Sequence, residues 1–118
     1  MTGAVGYHAG LVAEDIVASD YARRGRPVAH RRWRGSGGEI DLIAREGDRV
    51  VFVEVKKSKT FDMAALRLGR RQMDRICSAA LEFLAGEPRG QLTEMRFDLA
   101  LVDGRGATRI IENAFGEA

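Results

Sequence analysis

Cysteine and long apolar runs are scarce in this sequence, and each absence excludes a class of protein. A single cysteine, Cys77, leaves no intrachain disulfide to form, which excludes a disulfide scaffold and favours a reducing compartment. No unbroken apolar run exceeds that of Val50–Val53, whereas a transmembrane helix needs roughly 20 residues. The first fifteen residues carry Glu14 and Asp15 but no lysine or arginine, so a secretory signal does not fit. We therefore expect a cytoplasmic protein with no membrane partner.

Lysine is nearly absent as well. Arginine supplies all but three of the 19 basic residues, and the three lysines are Lys56, Lys57 and Lys59. Lysine carries a compact ammonium group whose pKa can shift, whereas arginine carries a rigid, planar guanidinium that stays protonated. A lysine kept in a chain that otherwise uses arginine is a candidate for chemistry, although the three share one short segment.

Charge is distributed in blocks, although the net charge is only +2. Residues 23–34 and 56–75 are basic, and the intervening residues 35–55 are acidic. This pattern suits a polyanion held by its phosphates on either side of a carboxylate cluster. Alternating solvated faces would produce the same pattern.

Hydrophobic periodicity and turn residues predict one α/β (α+β) domain over residues 1–118, with a mixed central sheet flanked by helices in the order αβββαββ. We expect residues 35–38 to form a flexible turn and residues 57–67 a mobile basic loop. The apolar face of the first helix is predicted to contain Leu11, Val12, Ile16, Val17 and Tyr21, and that of the second Met73, Ile76, Cys77, Ala80 and Leu84. The predicted helices are 10–24 and 68–85, and the predicted strands are 28–33, 39–44, 50–56, 94–102 and 108–111.

The hairpin of strands 39–44 and 50–56 carries the chemistry. Alternation along the first strand predicts one face with Glu39, Asp41 and Ile43 and the opposite face with Ile40, Leu42 and Ala44. Alternation along the second predicts one face with Phe52, Glu54 and Lys56 and the opposite face with Val51, Val53 and Val55. In the simplest register these faces coincide, so that two or three carboxylates meet one ammonium.

A carboxylate within an apolar strand is costly to bury unless something pairs with it. One interpretation is that Asp41 and Glu54 bind Mg²⁺, which takes oxygen ligands from one or two carboxylates and from substrate phosphates. Lys56 would then hold the attacking water or stabilise charge on the phosphate. The other interpretation is a solvent-facing hairpin with a cross-strand ion pair.

The stretches Gly38–Ala44 and Val51–Lys56, which read GEIDLIA and VFVEVK, resemble the hallmark of the uncharacterised bacterial YraN-like proteins. Those proteins are similar to Holliday junction resolvases and to PD-(D/E)xK nucleases, whose fold is the restriction-endonuclease-like core. The resemblance extends over nearly the whole chain. It also includes Glu14, the cluster Arg31–Arg34 with Trp33, Gln72, Arg96–Asp98 and Asn113–Phe115.

This resemblance implies a metal-dependent endonuclease that acts as a symmetric homodimer on DNA, including branched DNA, with Mg²⁺ or Mn²⁺. It implies Asp41 and Glu54 as metal-binding acids, Lys56 as the catalytic lysine and Glu14 as a further metal-binding acid from the first helix. The chain departs from the pattern at Ile40, where the superfamily's proline is missing, and at Arg71, where a lysine is expected. A non-catalytic nucleic-acid-binding module on the same fold is the alternative function. A protein-interaction role with a structural ion pair is a third.

The basic blocks supply the candidate nucleic-acid contacts. Trp33 would stack on a base or, alternatively, anchor the core with one edge in water. We expect His8 and His30 to be ordinary surface residues and Cys77 to be buried and inert. The predicted nucleic-acid-binding residues are Arg31, Arg32, Arg34, Lys57, Lys59, Arg70, Arg71 and Gln72.

Overall fold

The computed structural model describes residues 2–116, and the side chains of residues 10–116. His8 therefore lies outside the described side chains. No helix within the described part of the chain is both long and apolar enough to cross a membrane. The elements are α1 (Thr2–Arg23), β1 (Val28–Arg34), β2 (Glu39–Glu46), β3 (Arg49–Lys57), α2 (Phe61–Ala65), α3 (Arg70–Leu84), a 3₁₀ turn (Gly90–Leu92), β4 (Met95–Val102) and β5 (Thr108–Phe115).

The five strands form one sheet whose spatial order is the chain order, β1-β2-β3-β4-β5. The pairs β1–β2, β2–β3 and β4–β5 are antiparallel, and β3–β4 is parallel. A parallel pair needs a crossover connection, and the segment containing α2 and α3 supplies it. The predicted fold, a mixed sheet with helices packed on it, is confirmed.

Each face of the sheet has its own hydrophobic core, so the molecule has three layers. On one face α3 packs Ile76, Ala80 and Phe83 against Phe52 and its neighbours. On the other face α1 packs Val17 and Tyr21 against β2, β3 and β4. The two helices therefore cover opposite faces of β3. The sheet residues on the α3 side are Ile40, Ile43, Val50, Phe52 and Phe97, and those on the α1 side are Leu42, Ala44, Val51, Val53, Ala100 and Val102.

The predicted face of α3 is confirmed, and that of α1 is partly wrong. Val12 is 50% exposed, whereas Ala13 and Glu14 are buried beside Val17 and Tyr21. The helix is rotated so that an acid occupies a position on the inner face. Periodicity counts apolar residues only, so it cannot identify a glutamate that is buried for another reason.

The predicted mobile loop at 57–67 is wrong, because the segment extends β3 to Lys57 and then forms α2. The Thr60 hydroxyl accepts a hydrogen bond from the Met63 N–H at 3.1 Å, which caps the helix. Ala64 is fully buried against β4, and the Arg109 guanidinium lies 4.7 Å from the centre of the Phe61 ring. A helix of five residues is too short to show a 3.6-residue period.

The turn at 35–38 is also less free than predicted, since it packs tightly against α3. The Ser36 hydroxyl donates a 2.5 Å hydrogen bond to Glu82, and the Gly37 N–H donates another at 3.2 Å. A Cβ at Gly35 or Gly37 would collide with the side chain of Glu82 or Ser78. These glycines therefore permit close approach of the turn to a helix.

Aromatic contacts place Trp33 on the α3 side. Its ring is half-buried and meets Phe83 edge to face at 5.4 Å, as a core anchor with one wet edge would. His30 is exposed, as predicted, and its ring contacts the same phenylalanine at 5.3 Å. Cys77 is half-buried, and burial raises the pKa of its thiol, which fits the predicted inert residue.

A buried ionic network joins β4 to α1 and β5. Asp98 is fully buried and accepts hydrogen bonds from the Tyr21 hydroxyl at 2.7 Å, the Arg96 Nε at 2.8 Å and the Asn113 N–H at 3.1 Å. Arg96 also donates to Glu46 at 2.9 Å. The oxygens of this buried acid therefore have the hydrogen-bond partners that burial requires.

Candidate active site

The strand alternation of β2 is interrupted at Asp41. Ile40 and Ile43 lie three positions apart and yet both pack on the α3 side, while Leu42 packs on the α1 side. The β1–β2 register has no pair at Asp41, which lies between Ile40, opposite Trp33, and Leu42, opposite Arg31. Arg32 of β1 has a left-handed φ of 52°. The predicted faces of this strand are therefore partly wrong: Leu42 and Ala44 do share one face opposite Ile43, but Ile40 does not lie with them, because the prediction assumes unbroken alternation.

The irregularity fixes the position of the Asp41 carboxylate. Backbone pairing between β2 and β3 runs only as far as Leu42 and Val53. Just beyond it, Asp41 Oδ2 accepts a hydrogen bond from the Val55 N–H at 2.8 Å. The Asp41 side chain thus accepts from a backbone N–H of β3 beyond the last paired residues of the two strands. This hydrogen bond fixes the carboxylate where β2 and β3 separate.

Glu54 lies on β3 beside that point, with 3% of its surface exposed. Its Oε2 accepts a 2.5 Å hydrogen bond from Gln72 Nε2 of α3 and lies 3.3 Å from Lys56 Nζ. Its Oε1 is buried and has no N–H or hydroxyl donor among the described residues, while the Asp41 carboxyl group lies within hydrogen-bonding reach of the Glu54 side chain. The predicted common face of Glu54 and Lys56 is confirmed, and half of this carboxylate lacks the donor that a buried oxygen needs.

Burial and mutual repulsion control the ionisation of the two acids. Burial, followed by the Asp41 charge, raises the pKa of Glu54 to about 8. Burial also raises the pKa of Asp41, although the Val55 N–H opposes the rise. Neutralisation by one shared proton, or by a cation, stabilises the pair.

Glu14 of α1 lines the same pocket but is bound by another residue. Its carboxylate forms a two-point ion pair with Arg32, at 3.1 Å from Nε and 3.3 Å from Nη2. Burial raises the pKa of Glu14, and Arg32 opposes that rise. Among the side chains that the structure describes, no three histidine, cysteine or carboxylate groups lie close enough together to hold a metal ion. The predicted set of three metal-binding acids is therefore not preassembled.

An open pocket of about 430 Å³ joins these groups. It includes Arg67, which sequence reasoning did not select, and whose Nη1 donates a 2.6 Å hydrogen bond to the Lys57 carbonyl. The only signal for Arg67 in the sequence is its place in the second basic block. The pocket is lined by Gly10, Ala13, Glu14, Asp41, Glu54, Val55, Lys56, Lys57, Arg67 and Gln72.

Other predicted nucleic-acid contacts lie outside the pocket lining. They are Arg31, Arg32 and Arg34 on β1, Lys59 before α2, and Arg70 and Arg71 at the start of α3. Lys57 and Gln72 do line it. The structure thus brings together the predicted catalytic acids, the lysine and Gln72, and it spreads the arginines around them.

Comparison with known proteins gives a family but no activity. A family model described as "Uncharacterised protein family UPF0102" matches residues 13–102. The chain is 69% identical over 115 residues to a UPF0102 protein of Cereibacter sphaeroides, and the match covers 98% of both chains. It is 65% identical over 108 residues to a UPF0102 protein of Ruegeria pomeroyi, covering 92% of this chain and 88% of that one.

Proposed function

Since the chain belongs to the uncharacterised protein family UPF0102, whose description names no reaction, we propose a function from its own pocket. The chain is a metal-dependent endonuclease that hydrolyses phosphodiester bonds in DNA, branched DNA included. Membership of this family confirms the resemblance to the YraN-like proteins, and the nuclease resemblance stays a prediction. The cytoplasm as location and a homodimer as the active form belong to the same proposal.

One observation carries the proposal. Glu54, whose buried Oε1 has no N–H or hydroxyl donor among the described residues, lines an open pocket together with Asp41 and Lys56. Two carboxylates in a pocket with room for water and phosphate suit Mg²⁺ or Mn²⁺, since Mg²⁺ commonly uses one or two protein carboxylates and completes its shell from water and substrate. Asp41 and Glu54 would hold that ion. When bound, the ion lowers the pKa of a water molecule and polarises the phosphate.

The remaining residues have roles that follow from their contacts. Lys56 places a positive charge beside Glu54, where it stabilises negative charge that develops on a phosphate in the pocket. Gln72 positions Glu54 through its 2.5 Å hydrogen bond, and the Val55 N–H positions Asp41. Lys57 and Arg67 line the pocket and would bind the phosphates next to the one that reacts.

A non-catalytic nucleic-acid-binding module is the second candidate. It is favoured by the ion pair between Glu14 and Arg32, which keeps the third acid from joining the other two. In that case Lys56 and Gln72 serve only to compensate a buried glutamate. Such a module would bind nucleic acid without Mg²⁺, and its affinity would fall steeply with salt.

Two experiments together separate the two candidate functions. The first is calorimetric titration of Mg²⁺ and Mn²⁺ into the purified chain, and the second is incubation of the chain with a four-way junction and a linear duplex. The endonuclease binds the ion and cuts at least one DNA, and the ratio of the two rates ranks the substrates. Salt-sensitive DNA binding with neither metal binding nor cleavage identifies the second candidate.

The contribution of Glu54 to the stability of the metal-free chain should fall as the pH rises from about 4.5 to 8. Glu54 has its ordinary pKa of 4.5 when unfolded and about 8 when folded, so the folded state keeps a proton that the unfolded state releases in this window. The stabilisation that comes from the proton on Glu54 is complete below pH 4.5 and is lost as the pH rises past 8. Urea unfolding across this range measures the slope.

Glu54→Gln should make that slope clearly shallower, because glutamine does not titrate. Asp48→Asn is the control, since Asp48 is exposed in the turn between β2 and β3. A wild-type slope that Glu54→Gln leaves unchanged would contradict the raised pKa. Saturating Mg²⁺ should reverse the loss of stability above pH 7, because the ion binds the ionised acids.

Arg32→Gln should strengthen Mg²⁺ binding if Glu14 is the third metal-binding acid. Arg32 competes with a cation for the Glu14 carboxylate, so its removal leaves that acid available. Calorimetry on Arg32→Gln, Glu14→Gln and the double variant measures this coupling. Arg31→Gln controls for the lost positive charge, since Arg31 pairs with exposed Asp15. Equal affinities for the double variant and Arg32→Gln would remove Glu14 from the site.

A further inference from the structure

The two basic blocks differ in whether their charges are already neutralised. On β1, Arg31 lies 2.6 Å from Asp15 and Arg34 lies 2.8 Å from Glu39. Arg32 is bound to Glu14. Every arginine of this strand thus has a carboxylate partner, two of them supplied by α1.

The second block is different. None of its cations beyond Lys56 forms an ion pair with any residue among 10–116, and Arg67 makes only a hydrogen bond to a carbonyl. This holds although the block contains two acids, Asp62 and Asp74. The charges concerned are Lys57, Lys59, Arg67, Arg70, Arg71 and Arg75.

The first turn of α3 strengthens the contrast. The backbone N–H groups at a helix N-terminus carry partial positive charge, so acids stabilise this end and cations destabilise it. Here the first turn contains Arg70 and Arg71 and no acid, and Gly69 before it makes no capping hydrogen bond through a side chain. Two exposed arginines therefore lie at the helix end that disfavours them, and neither forms an ion pair with a residue among 10–116.

The β1 arginines would gain little from a polyanion. A guanidinium that exchanges a carboxylate for a phosphate neutralises no further charge, and it leaves the carboxylate facing the phosphate. Cations without an acid partner release condensed counterions from the nucleic acid without that cost. Exposed ion pairs contribute little to stability, so their strength does not decide which arginines bind the polyanion. The net charge of each group of side chains decides it.

We propose that the sugar-phosphate backbone of the nucleic acid runs along one side of the pocket only. The contact surface begins with Lys57 and Arg67 at the pocket wall and continues to Arg70 and Arg71 on α3. The β1 arginines lie outside it, which replaces the two-sided arrangement that the charge blocks predict. This inference rests on the proposed function for its partner, a nucleic acid, but not on cleavage.

Two double variants with the same change of charge test this surface. Arg70→Gln/Arg71→Gln and Arg31→Gln/Arg34→Gln each remove two positive charges, and none of these four residues belongs to the catalytic group. Binding of a fluorescent duplex is measured in chelator over a series of salt concentrations. The slope of log K against log [salt] should become shallower by about 2 in the α3 variant, since each phosphate contact contributes about 0.9. It should stay within about 0.3 of wild type in the β1 variant.

The α3 variant should also melt no lower than wild type, because it removes two cations from a helix N-terminus. Equal slope changes in both variants, a larger change in the β1 variant, or no binding by the wild type at low salt would each overturn this surface. A shallower slope in the α3 variant without any cleavage by the wild type would keep the surface and reject the nuclease. Cleavage by the wild type with an unchanged slope in the α3 variant would support the nuclease and reject the surface.

Discussion

Asp41→Asn abolishes the Mg²⁺-dependent cleavage of DNA that we propose for this chain, and Glu54→Gln does the same. Each change removes one of the two carboxylates that would hold the ion. A bound metal supplies several kcal/mol of transition-state stabilisation, so the rate of cleavage should fall by at least roughly 10³-fold. Single-turnover cleavage of the duplex and the four-way junction measures the loss.

The loss must be separated from unfolding. Both substitutions keep the shape of the side chain, and each removes a buried carboxyl whose pKa is raised by burial, so neither should lower the free energy of unfolding by much. Asp48→Asn, in the exposed turn between β2 and β3, should cleave at the wild-type rate. Cleavage that survives both pocket substitutions would reject the assignment of this site.

Asp98→Ala should destabilise the fold by about 3–5 kcal/mol, the usual cost of removing one partner from a buried ion pair. The change leaves Arg96 without its buried acid and leaves the Tyr21 hydroxyl and the Asn113 N–H without their acceptor. Domains of this size have total stabilities of about 5–15 kcal/mol, so the effect takes a large part of the margin. Urea unfolding followed by circular dichroism measures it.

Tyr21→Phe provides a milder test in case Asp98→Ala does not fold. It removes one of the hydrogen bonds to Asp98 and should cost about 1.5–3 kcal/mol, because that bond is made to a charged group. Asp48→Ala is the control, since Asp48 is exposed in the turn between β2 and β3. A cost below about 1 kcal/mol for Asp98→Ala would mean that the network contributes little to stability.

The sequence predicts most of the elements, because their signals are local. The apolar run of β3, the period of α3 and the glycines that follow both long helices are each visible within a few residues. The convergence of Asp41, Glu54 and Lys56 is also predictable in outline, since they belong to one hairpin. Their detailed geometry is not, because it depends on an interruption of β2 for which no residue type is diagnostic.

The contacts of Glu14, Gln72 and Arg67 show where prediction from sequence ends. Glu14 meets Arg32 across 18 positions, and Gln72 meets Glu54 across 18 positions, so tertiary packing alone brings each pair together. Arg67 reaches the pocket because α2 forms where a loop is expected. Tertiary packing also determines which cations have an acid partner, because it decides which helix lies over which strand.

The order of the strands in the sheet also determines how the chain can fold. Because spatial order follows chain order, three of the four strand pairings join consecutive antiparallel strands through short turns. Only the parallel pairing of β3 with β4 must close a long loop, and that loop contains α2 and α3. The bond between Asp41 and Val55 lies within the local hairpin, whereas Gln72 belongs to the loop. We therefore expect the carboxylates to come together in an early hairpin, and the helix that covers them to dock in the slowest step of folding.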